Sequence, residues 1–242
     1  MLSARKLLAV SLCLSAQHTF ALSTGDIAFT ALNTDEDGWA IVALTALAAE
    51  STIYFTDSNW GGEAFSSAEG FHTWNIGSAS IAAGSVIRFS QIDQVSRAVS
   101  IGALTSSGNR ALSSTAETVY AYLGTAADSP TTFLAAVSSE ANVAATNALA
   151  AAGLQAGFNA VILPASTDFA EYTGPRSGEA DFAAYRLLVN AASNWTGFTD
   201  GDHASAQPDL AAFSVSVSPV PEVSMGWMMF AGLALVATRL RR

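Results

Sequence analysis

From residue 25 onward, apolar and polar positions alternate in short runs punctuated by turn residues. Residues 25–32, 39–47 and 52–56 are predicted strands, the last both β-branched and aromatic. Residues 71–76 and 86–90 follow, separated by Gly77 and Gly84. Residues 118–123 and 132–137 form a predicted pair around Asp128-Ser129-Pro130. A strand at 158–163 is stopped by Pro164, and a last one at 211–217 sets Phe213, Val215 and Val217 on one face. Two helices interrupt this series. Residues 139–152 start at a hydroxyl cap and stop at Gly153, and residues 179–192 place Phe182, Tyr185, Leu188 and Val189 at helical spacing. The pattern predicts a mainly β fold: an antiparallel β-sandwich, or a barrel-like variant, with one or two short helices.

The two ends break the pattern. Residues 1–21 read as a secretory signal peptide, with Arg5 and Lys6 ahead of the apolar run 7–14 and a cleavage site after Ala21. Residues 218–242 hold a proline-rich motif, an uncharged apolar helix at 225–238, and the basic cluster Arg239, Arg241 and Arg242. With Val223 and Ser224 the apolar run is about 16 residues, or ~24 Å of helix, shorter than the ~20 residues of a comfortable span. Basic flanks stay on the cytoplasmic side, so the body between the ends is expected outside the cytoplasmic membrane. Three regions result: signal 1–21, body 22–217 and tail 218–242.

Val220, Pro221 and Glu222, followed by an apolar helix and a basic end, resemble the PEP-CTERM sorting signal of Gram-negative bacteria. The fourth motif position holds Val223 where that family has proline. The resemblance implies an exosortase-type processing enzyme as partner, passage through the cytoplasmic membrane, and an association with exopolysaccharide. Gly25-Asp26-Ile27-Ala28-Phe29, Ile53-Tyr54-Phe55-Thr56-Asp57, Asn59-Trp60, Glu69-Gly70, Thr73-Trp74 and Asn194-Trp195-Thr196 resemble a domain of secreted bacterial surface proteins. That domain implies a sandwich related to lamin tails more than any activity.

Composition narrows the function classes. Between residues 22 and 218 there are five arginines, no lysine and nineteen acids, a net charge near −14. Such a surface repels nucleic-acid phosphate and anionic lipid, so no nucleic-acid partner is expected. The lone cysteine, Cys13, lies in the signal, and a processed chain carries neither disulfide nor thiol.

Asn33-Thr34-Asp35-Glu36-Asp37-Gly38 resembles the first half of a calcium loop, with oxygen side chains at alternate positions and glycine at the sixth. Position twelve is Leu44, not glutamate, so a Ca²⁺ site would need help from Asp200 and Asp202. The plainer account is a polar hairpin turn. His203 beside Asp200 and Asp202 could join a transition-metal site, while His72 is expected to be surface or packing. Trp60 and Trp74, with Asn59, Glu63 and Glu69, flank a glycine-rich loop that could contact carbohydrate; the alternative places both tryptophans in the core. Asp57, Glu63 and Glu69 could supply paired carboxylates, but no Gly-x-Ser-x-Gly elbow is present. No catalytic residue and no obligatory cofactor is expected. The sequence reading is an exported envelope or matrix protein, structural or adhesive. A cation-dependent extracellular hydrolase and a calcium-stabilised binding module are the alternatives.

Overall fold

The structure is a computed structural model that describes residues 21–66 and 69–216. The signal segment 1–20, the sorting motif Val220, Pro221 and Glu222, the helix expected at 225–238, and Arg239, Arg241 and Arg242 lie outside the described residues. Among the described residues no helix is long and apolar enough to cross a membrane.

Among the described residues twelve strands form in chain order: β1 (Ile27–Asn33), β2 (Gly38–Ala43), β3 (Thr52–Thr56), β4 (Phe71–Asn75), β5 (Val86–Ser90), β6 (Ala98–Val99), β7 (Ala103–Ser107), β8 (Thr118–Ala126), β9 (Ser129–Ser138), β10 (Ala160–Ile162), β11 (Phe169–Tyr172) and β12 (Trp195–Phe198). They build two six-stranded sheets, ordered β12-β11-β1-β2-β5-β6 and β10-β9-β8-β3-β4-β7. All pairings are antiparallel except β9–β10, which is parallel, so the second sheet is mixed where an antiparallel one was expected. The cause is the helix α1 (Val143–Ala151), which carries the chain back to start β10 alongside β9.

One core joins the sheets. Ile27, Phe29, Ile41 and Phe89 from the first meet Phe55, Trp74, Leu134 and Val137 from the second. Phe55 lies 4.8 Å from Phe89 and 5.2 Å from Trp39 between ring centroids. Burial of such aromatic area is the main favourable term for a cysteine-free body. Each outer face has its own layer. Tyr172, Tyr185, Val189 and Phe213 cover the first sheet, and Tyr120, Tyr122, Phe133 and Leu149 the second.

Three sequence expectations change. The helix at 139–152 begins only at Val143, because Ser139 spends its hydroxyl on Glu117 N–H (3.0 Å) and Asn142 caps instead, accepting from Ala145 N–H at 2.9 Å. The helix at 179–192 contracts to a 3₁₀ turn, Phe182–Ala184, and α2 (Tyr185–Asn190), because Glu179 bridges to Val215. The strand expected at 211–217 is, over residues 211–216, an irregular segment, and Val217 lies outside the described residues. Phe213 and Val215 pack as the alternation foresees, but the backbone bonds run to separate segments, at Gly84, Arg176 and Glu179.

Candidate functional site

One end of the two sheets gathers the loop residues 34–37, 57–66, 69–70, 91–97, 108–117, 163–168 and 199–207, and with them most of the candidate side chains. The turn at 34–37 is a hairpin between β1 and β2. Asn33 Oδ1 accepts from the N–H groups of Asp35 (3.1 Å) and Glu36 (3.0 Å), closing the turn locally. Asp37 takes a left-handed φ of 57°. Gly38 is required by packing: a Cβ there would stand 2.6 Å from Phe89 O on β5. The glycine that suggested a cation loop thus has a backbone-contact role.

The structure brings the 199–207 loop to this turn. Asp35 Oδ2 accepts from His203 N–H at 2.7 Å, and Asn33 Nδ2 donates to His203 O at 3.0 Å. Asp37 leaves in another direction, accepting from Leu112 N–H at 2.5 Å and facing Asp93. Asp200 accepts from Gly201 N–H and Asp202 from Ala204 N–H, within their own loop. Asn33, Asp35, Asp37, Asp200 and Asp202 therefore share one rim without converging on one point. Among the described residues no group of three or more His, Cys, Asp or Glu side chains is placed to hold a metal ion. Asp35 and Asp200 still raise the proton affinity of Asp168, second to its burial, so this corner concentrates negative charge.

Deeper in the rim are three carboxyls that hold their protons unusually well. Burial raises Asp57 to about 7, against the N–H groups of its own residue and Gly70 (2.8 Å), with Glu69 and Asp37 adding repulsion. Glu117 rises to about 8, again by burial and by Asp57 and Glu69, although Ser113 and Thr118 N–H donate to its two oxygens at 2.8 and 3.0 Å. Asp37 reaches about 6, through burial first and then Asp93 and Asp35. Raised carboxyls of this kind suit general acids. Here their oxygens brace loop amides, and Asp57 and Glu117 are only 4% and 7% exposed. The sequence does not single out Glu117. Its one signal there is its place directly before the run at 118–123.

His72 is enclosed, edge-on to Trp39, with Nδ1 2.8 Å from Ser106 Oγ. Burial, with Arg110 and Arg97 nearby, lowers it to about 3, so it stays neutral and packed. The two tryptophans separate. Trp74 is wholly buried between the sheets and donates Nε1–H to Ile101 O at 2.8 Å, so it has no face to offer a sugar. Trp60 is half-buried on the outer face of the second sheet, against Phe65 and Phe133, with Asn59 exposed beside it. Trp60 and Trp74 cannot form one stacking platform. At the opposite end an open hollow of about 490 Å³ is lined by Ala21, Leu22, Ala48, Ala49, Glu50 and Leu123. No protein-family model, no curated protein and no solved structure matches the chain.

Proposed function

We propose that the chain is an exported envelope or extracellular-matrix protein whose two-sheet body is a β-sandwich cargo with a structural or adhesive role, associated with polysaccharide. The observation that carries this is the combination of an export signal and a Pro-Glu/apolar/basic tail around an acidic, lysine-free body. The interior use of His72, Asp57 and Glu117 supports a structural role, since each is enclosed or engaged by loop backbone. Leu22 packs against the main core while Ala21 is exposed, so a cut after Ala21 keeps every core residue among the described residues with the body. An exosortase-type enzyme and the cytoplasmic membrane are the partners of the tail. Deleting residues 218–242 is expected to move the protein from the envelope to the soluble exported fraction. Unchanged fractionation overturns sorting by the tail.

A second reading, a calcium-stabilised binding module, is favoured by the docking of the Asn33–Asp35 turn on the loop of Asp200 and Asp202. Chelator would then lower the melting temperature by several degrees, and Asp35→Ala would remove the difference. An unchanged melting curve with and without millimolar calcium excludes it.

A further inference from the structure

Four strands end the two sheets, and three of them are poor templates for another chain. β6 has two residues and β10 three, the latter followed closely by Pro164. β12 has four, one of them Gly197, and runs into Asp200 and Asp202. Short length, glycine, proline and charge are the usual protections of a sheet edge. β7 has none of them within its five residues, Ala-Leu-Thr-Ser-Ser.

The ladder shows which groups β7 leaves open. Ile76 N–H bonds Ser51 O, so in β4 the amides of Trp74 and His72 turn toward β3, and those of Phe71, Thr73 and Asn75 toward β7. The partners of the last three are Ser107, Thr105 and Ala103. The N–H and C=O groups of Leu104 and Ser106 therefore point away from the sheet, and no hydrogen bond among the described residues reaches them. The side chains of Ala103, Thr105 and Ser107 are exposed on the outer face.

We propose that β7 pairs with β7 of a second copy of this chain, antiparallel about a twofold axis at Thr105. Leu104 would then exchange both hydrogen bonds with Ser106 of the second copy, and Ser106 with its Leu104. Thr105 would face Thr105 as the closer, non-hydrogen-bonded pair, about 4.5 Å between Cα atoms. The two six-stranded sheets would become one continuous sheet of twelve. The uncharged edge permits self-pairing. Two bodies near −14 repel, yet residues 98–109 carry no charge, and Arg97 and Arg110, in no salt bridge among the described residues, flank them. A foreign acidic peptide would use the same arginines, but the isologous register needs only what this chain holds. A five-residue edge is small, so the dimer belongs to the weak class of interfaces and strengthens as salt screens the bodies.

Cross-linking of the full chain in a Cys13→Ser background tests it. Thr105→Cys should give a disulfide dimer under mild oxidation, since the expected Cα separation suits a disulfide. Ala103→Cys and Ser107→Cys, opposite each other across the axis, should cross-link when mixed and not separately. Thr105→Asp sets two like charges face to face and should weaken reversible dimerisation at least about tenfold, whereas Thr105→Val should preserve it. Circular dichroism checks that each variant stays folded. Folded Thr105→Cys chains that remain monomeric overturn the proposal. So does equal cross-linking from Leu187→Cys, an exposed position on α2 (54% exposed), or a dimer indifferent to Thr105→Asp.

Discussion

Asp57 and Glu117 show how single residues set the pH response of this protein. Each binds its proton more tightly folded than unfolded, so the native state carries more protons between pH ~4 and the folded values of about 7 and about 8. Their contribution is greatest below the unfolded values and falls as pH rises through the folded ones. Melting temperature should therefore decline from pH 5 to pH 8, with a cost on the order of a few kcal/mol by the alkaline end. Asp57→Asn keeps an acceptor for Gly70 N–H and should flatten that decline; an unaltered pH profile refutes the assignment. Glu117→Gln should flatten it too, but at acid pH it should lose about 1 kcal/mol, because one of its two loop amides would face an NH₂ group. Trp74 belongs to the same scale: Trp74→Ala should cost about 3–5 kcal/mol in denaturant unfolding, and Trp60→Ala clearly less.

Among elements, the segment after β12 depends on Arg176. Its guanidinium donates to the carbonyls of Ala211 (2.8 Å), Asp209 (3.1 Å) and Tyr172 (3.3 Å), pairs with Asp209 (3.3 Å), and stands over the rings of Phe213 and Tyr172. Arg176→Ala should cost about 2–3 kcal/mol and open the chain around residues 205–214 to protease first. Cleavage elsewhere, at an unchanged midpoint, contradicts this role. The elements also show where sequence patterns carried information. β3 and β5 lie at the residues expected, because their β-branched and aromatic side chains point into one core. β7 went unread because three of its five residues are Thr or Ser and glycines flank it; its strand character comes from β4. β11 and β12 are four residues each and were hidden by Glu171 and Gly197 in their middles. The acidic rim is half legible: the turn at 33–38 and the Asp200–Asp202 loop stand out in the sequence, and they do meet, but the bond between Asp35 and His203 spans 168 positions of chain.

For the whole molecule, acidity is the dominant long-range property. The body carries nineteen carboxyls against five arginines, and the described residues contain two salt bridges, Arg88–Glu36 and Arg176–Asp209. Self-repulsion should therefore destabilise the folded state at low ionic strength, and 0.5 M sodium chloride should raise the melting temperature by a few degrees. A fall with salt would mean that these ion pairs outweigh the repulsion.

The protected carboxyls of the rim have a thermochemical corollary. A chain refolding near neutral pH must withdraw protons from its surroundings, because Asp57 and Glu117 bind them more tightly in the native state. In a weakly buffered solution the medium turns more alkaline as the chain folds. In calorimetry the apparent heat tracks the ionisation enthalpy of the chosen buffer, and its slope counts the protons captured.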